Sequence, residues 1–272
     1  MQTVQVVRSR GGFARTSRPD AWWIGPAVTA AGLLLFFGYL TFRAFSGTYV
    51  WAPPYISPTV APPLLTPAFG YPGAVPVDHA WFGAFPAWWP TFIPQSPAFF
   101  LPAFAIAFRI TCYYYRGAYY KALFFRPPSC AVGGVPGSYM GERAVLVFQN
   151  LHRYTFYAAL LLLVFLWEEG LLAFFRDGRF GVGVGTIVMV INASLLSAYT
   201  FGCHSCRHLI GGRHDCLTCS SARYGMWKGS SWLNERHMLF AWLSLVWVCL
   251  TDAYIYLVAR GLLVDVNTWS SR

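Results

Sequence analysis

Residues 202–219, GCHSCRHLIGGRHDCLTC, hold Cys203, His204, Cys206, His208, His214, Cys216 and Cys219, which are four of the seven Cys and three of the six His in this 272-residue chain. Thiols and imidazoles at that density imply metal ligation or thiol redox chemistry. His204 and His208 are four apart, and on the last turn of a helix both imidazoles reach one ion from the same face. Gly211 and Gly212 end that helix, because paired glycines suit a C-terminal turn. Cys216 and Cys219 form a Cys-x-x-Cys turn that can give two thiolates to one ion. Two His on one iron and two Cys on the other is the ligand set of a Rieske-type [2Fe-2S] centre. Cys203, Cys206 and His214 are the alternate donors. The same spacings suit structural zinc and disulfide exchange, and the motif alone leaves these open. Haem b is a further alternative, with His152 and His237 as its axial pair.

The elements that must position these donors lie in a membrane. The chain is 56% hydrophobic and 11% charged, with mean hydropathy +0.45, against roughly 25% charged in a soluble domain. That composition excludes a soluble globular protein and a disordered one. The net charge of +10 has no basic run, which excludes nucleic-acid binding. The fold class expected is all-α, a polytopic bundle with spans at 21–45, 97–125, 148–175, 182–210 and 232–263, each near the roughly 20 residues a bilayer requires.

Residues 1–20 form a basic tail without the order of a cleavable signal peptide. Lys and Arg concentrate in this tail, after the second span and after the fourth, and are absent from 46–95. The positive-inside rule then predicts a multi-pass protein of the cell membrane with its N-terminus cytoplasmic and its C-terminus outside. The cytoplasmic side keeps thiols reduced, which favours metal over disulfide in the 202–219 segment. Residues 46–95 hold eleven of the eighteen prolines together with Trp51, Trp81, Trp88 and Trp89. They read as an interfacial segment at the outer surface, or as a lining for a lipid-soluble substrate.

Four runs resemble a known family: RITCYYYRGAYYKALFFRPPSCAVGG (109–134), FQNLHRYTFYAALLLLVFLW (148–167), GCHSCRHLIGGR (202–213) and LNERHMLFAWLSLVWVCLTDAYIYLVARG (233–261). They are similar to the cytochrome b-type membrane-anchor subunit of actinobacterial succinate dehydrogenase, respiratory complex II, in its single-subunit five-span mycobacterial type. The likeness covers roughly 97–263. It implies a non-flavin subunit of a succinate:quinone oxidoreductase, without independent activity. Such a subunit docks the flavoprotein and iron-sulfur subunits, sits in membrane lipid and binds quinone. The resemblance also admits a higher oligomer of the complex. Diheme anchors carry axial His on their first and second spans, where this chain has none, so at most the single His152/His237 haem is expected. The resemblance favours the iron-sulfur cluster over haem and zinc.

A quinone head group needs an apolar slot with one or two hydrogen-bond donors. The candidates are His237, Arg236, Trp227, Arg109, Tyr113 and Arg116, of which Arg109 stands deepest in an apolar run and so requires a partner or a wet cavity. Asp252, mid-span, reads as part of a proton path or as an anchoring hydrogen bond. Cys112, Cys130 and Cys249 are isolated and read as buried free thiols.

Overall fold

The computed structural model describes residues 12–68, 70–135, 145–212 and 215–269. The chain runs α1 (Ile24–Ser46), β1 (Trp51–Ala52), β2 (Tyr55–Ile56), a 3-10 turn (Pro97–Phe99), α2 (Leu101–Thr111), α3 (Tyr113–Ala122) and α4 (Val145–Leu172). It continues through β3 (Phe175–Arg176), β4 (Arg179–Phe180), α5 (Val184–Phe201), α6 (His204–Gly211), α7 (Ser221–Glu235) and α8 (His237–Ala259). The all-α class expected from sequence is the class observed. Helices α1, α4, α5 and α8 are each long and apolar enough to cross a membrane, and the bent pair of α2 and α3 makes a fifth crossing when taken as one span.

The second expected span, 97–125, is not one continuous helix. Helices α2 and α3 meet at 80°, and the break is Cys112, whose ψ of 129° is extended. Thr111 immediately precedes the break. Its hydroxyl donates back to the Ala107 carbonyl at 2.7 Å, competing with the helix ladder as mid-helix Thr does. Cys112 then caps α3 by accepting from the Arg116 amide at 2.9 Å. The fourth span ends at Phe201 rather than Ile210. Gly202 separates it from α6, so His204 opens a short helix instead of closing a long one. The fifth span begins at His237, because the chain turns at Arg236 between α7 and α8.

Helix α5 packs on α8 and α4, and α4 packs on α2, while α1 lies at the periphery against α3 and α8. The Pro-rich stretch closes one end of this bundle. Val50, Tyr55, Ile56, Val60, Ala61 and Val75 form one buried cluster with Ala173, Met189 and Ile255 of the helical part. The stretch is therefore a folded cap, with Trp51 half-buried against the cluster and Trp81 and Trp88 left exposed. Asp252 of α8 pins it. Its carboxylate pairs with Arg43 of α1 at 2.6 Å and accepts from Tyr39, Ser57 and, at 3.2 Å, Thr59. The hydrogen-bond partners of Asp252 among the described residues are all donors, and they tie it to α1 and the cap as an anchor.

The C-terminal strap reinforces the same end. Asp265 accepts from Tyr55 Oη at 2.8 Å and from the Gly185 amide at 2.9 Å. Burial, joined by that carboxylate, pushes the Tyr55 phenol well above its usual range, so it remains a donor. At the opposite end, residues 14–18 pair with 129–133, where Thr16 Oγ1 donates to the Ala131 carbonyl at 2.8 Å and Arg18 Nη1 to Ser129 Oγ at 3.0 Å. The described part of the basic tail and the connection after α3 therefore share one end of the bundle.

Candidate metal centre

The break at residue 112 sets up the donor geometry. It turns the Cys112 side chain into the bundle, where Cys112 Sγ lies 3.5 Å from Nε2 of His237, the first residue of α8. Cys203 caps α6, its sulfur accepting the Ser205 amide at 3.1 Å. The same sulfur lies 3.5 Å from Nε2 of His152 on α4. Two Cys–His pairs from four separate stretches of chain thus meet in one core cluster, which includes Cys112, Cys203, Phe108, Phe156 and Tyr199.

Both imidazoles are held in orientation. Phe108 stacks on His152 with centroids 4.8 Å apart and a 2° interplanar angle, and Tyr199 stacks on His237 at 4.9 Å and 19°. His152 Nδ1 is hydrogen-bonded with Thr111 Oγ1 at 3.0 Å, which leaves Nε2 facing the sulfur. Such a partner on the remote nitrogen is the usual device for orienting a metal-bound His. His237 Nδ1 is buried without a hydrogen-bond partner among the described residues, a state that costs free energy unless something else binds there.

The expected ligand set is not assembled this way. Cys216 and Cys219 are joined in a disulfide, leaving no pair of free thiolates. His204 and His208 line the cavity beside the Cys–His pairs, and Cys216 and Cys219 do not. Cys206 is buried in the core cluster, while His214 lies outside the described residues. Among the described residues no three His, Cys, Asp or Glu converge on a single ion. A four-donor zinc site therefore has no support in the described part of 202–219, whereas two pairs of donors suit a centre of two metal atoms, each taking two protein ligands. The two pairs supply the donor types of a Rieske-type cluster, two Cys and two His, but each sulfur here faces an imidazole and not the other sulfur.

A cavity of about 540 Å³ opens next to these donors. Besides Cys112, His152 and His237 it is lined by Tyr113, Tyr114 and Arg116 of α3, Gln149, Asn150 and Arg153 of α4, His204 and His208 of α6, and Asn234 of α7. Of the six residues expected at a quinone, Tyr113, Arg116 and His237 face it. Trp227 instead stacks on Tyr224 and packs under Arg207 at 5.4 Å. Arg236 is exposed, lying over Trp232 at 4.4 Å beside Glu235. Arg109 is buried among Tyr115, Ala241 and Ser244. Sequence reasoning missed Cys112, a single thiol in an aromatic run. The available signal was the polar Arg109 and Thr111 flanking it, which mark a place where a membrane helix does not run straight.

Residues 24–261 match the family described as actinobacterial succinate dehydrogenase subunit SdhC. The chain belongs to this family. The match begins well before residue 97, so the family likeness includes α1 and the Pro-rich cap. The chain is also similar to a chain of the Mycobacterium smegmatis Sdh1 complex in the apo form. That likeness has 42% identity, a TM-score of 0.80 and coverage of 92% of each chain. No curated protein matches. Membership in the SdhC family makes this chain a membrane subunit of an actinobacterial succinate dehydrogenase.

Proposed function

We propose that the chain anchors the flavoprotein and iron-sulfur subunits of a succinate:quinone oxidoreductase and passes electrons to quinone through a Rieske-type [2Fe-2S] cluster held by Cys112, Cys203, His152 and His237. The observation that carries the reading is the pair of 3.5 Å Cys–His contacts, each sulfur facing the Nε2 of an oriented imidazole. Bound there, the cluster would supply a one-electron carrier whose His ligands place its potential above that of all-Cys centres. The chain's own part is to bind, orient and exclude water. Phe108 and Tyr199 clamp the imidazoles, Thr111 fixes the His152 tautomer, and the buried core around Cys112 and Cys203 keeps solvent from the sulfurs.

The quinone head group belongs in the adjoining cavity. A volume of about 540 Å³ lies within the usual range for small-molecule sites, and Tyr113, Arg116 and His237 are placed to hydrogen-bond its carbonyls. Charge places the cavity and the tail on the cytoplasmic side, with the Pro-rich cap outside, and the pairing of residues 14–18 with 129–133 supports a shared side for the two basic regions. Haem b is the second reading, favoured only by the convergence of His152 and His237. A porphyrin between them would have to displace both thiols and the two stacked rings.

The test is paramagnetic resonance of the dithionite-reduced complex. A low-g Rieske-like signal is expected, and it should vanish in His152→Ala and His237→Ala while persisting in the double variant His204→Ala/His208→Ala. Succinate oxidation by a soluble dye should survive in all of them. A Soret band in place of the low-g signal would establish the haem reading, and loss of the signal in the His204/His208 variant would return the ligands to the 202–219 segment.

A further inference from the structure

Arg109 is 6% exposed, on the last turn of α2 before the break. Its Nη1 donates to Tyr115 Oη at 2.6 Å and to the Ala241 carbonyl at 3.1 Å, and its Nη2 donates to Ser244 Oγ at 3.0 Å. All three acceptors are neutral. Among the described residues no carboxylate pairs with it, and the buried carboxylate of Asp252 is taken by Arg43. A cation in this position inside a membrane bundle is costly without a counter-charge, and neutral acceptors offset only part of that cost. One aromatic ring separates the guanidinium from the candidate centre. Its carbon lies 4.7 Å from the Tyr199 ring centroid, and that ring stacks on His237. On its other side Tyr199 meets Phe108 edge-on at 5.4 Å, and Phe108 stacks on His152.

We propose that Arg109 is a fixed cation that raises the reduction potential of the Cys112/His152/Cys203/His237 centre. The inference rests on the reading of that centre given above. An electron added at the donors places negative charge near an uncompensated positive one, so the reduced state is favoured. Arg109 keeps its proton throughout and exchanges no electron. It acts through its charge, and it does not line the quinone cavity. Unit charges within roughly 10 Å of one another at an effective dielectric of about 20 interact strongly enough to shift such an equilibrium at least tenfold.

The experiment is a potentiometric titration of the low-g signal in the full complex carrying Arg109→Gln or Arg109→Lys. In the Gln variant the reduction equilibrium is expected to fall at least tenfold, a midpoint about 59 mV lower for a one-electron couple, while Lys holds the wild-type midpoint. A Gln midpoint equal to wild type overturns the proposal, as does an equal fall in Gln and Lys, which would assign the effect to packing. Should neither variant assemble, Ser244→Asp reads the same quantity, because a carboxylate beside the guanidinium compensates its charge; a lowered midpoint supports the proposal and an unmoved one overturns it. Absence of any low-g signal in the wild-type complex defeats the centre itself, an outcome distinct from an unmoved midpoint.

Discussion

Replacing Asp252 by Ala tests the anchor at the capped end. Asp252 has no exposed surface and Arg43 is 1% exposed. Their Nε–Oδ2 contact of 2.6 Å is joined by bonds from Tyr39, Ser57 and Thr59. The substitution leaves the guanidinium with the Thr48 carbonyl at 2.9 Å and the face of Tyr256 at 4.8 Å. Removing one partner of a buried pair costs about 3–5 kcal/mol. Ser57 and Thr59 still hydrogen-bond each other at 2.7 Å, so the hydroxyls add little to that cost. At about 2–4 °C per kcal/mol for a chain of this size, Tm should fall by about 6–20 °C. The assay is thermal unfolding of the solubilised complex followed by circular dichroism. The double variant Arg43→Met/Asp252→Leu, which removes both charges, should recover most of the loss, since a buried pair is often replaceable by apolar residues of similar volume. A single-variant drop under about 2 °C, or a double variant no better than the single, would refute the locked-pair reasoning. Quinone reduction per assembled complex should be unchanged, and its selective loss at normal Tm would restore the proton-path reading of Asp252.

Cys112→Ser and Cys203→Ser should each abolish the low-g signal, whereas Cys216→Ser and Cys219→Ser should leave it intact, as read by paramagnetic resonance with iron analysis. Thr111→Val removes the 3.0 Å bond to His152 Nδ1 together with the 2.7 Å back-bond to the Ala107 carbonyl, and iron retention under chelator challenge should weaken by about 10–100-fold. In Gly185→Ala the added Cβ would lie 2.5–2.8 Å from three Tyr55 ring atoms. Overpacking of that kind costs about 1–3 kcal/mol, so Tm should fall and limited proteolysis should open the Pro-rich cap first.

Composition and charge were enough to read a helical membrane bundle, because burying a backbone in lipid requires long apolar helices and leaves few other solutions. The same reading could not locate breaks. Cys112 and Gly202 interrupt apolar runs without changing their hydropathy. The extended backbone at Cys112 and the Gly202 turn are local geometric effects, which a window of hydropathy averages away. Asp252 shows the same limit. Its place in an apolar run announced a buried polar group, but the identity of its partners depended on how a distant proline-rich stretch folds back onto α1 and α8.

The candidate site divides in the same way. Sequence by itself determined the family and the presence of His152, His237 and Arg109 in apolar runs. It pointed to residues 202–219 because donors close in sequence are easy to see, and that segment supplies only Cys203 to the proposed four-donor set. The tertiary structure decided which donors meet. Cys112, His152, Cys203 and His237 are single residues on four different stretches of chain, with Cys112 and His237 separated by 125 positions. They come within 3.5 Å in pairs because a bent helix, a helix cap and the first residue of α8 all point inward at one level of the bundle. Convergence of that kind arises from packing between helices, and periodicity within one helix carries no trace of it.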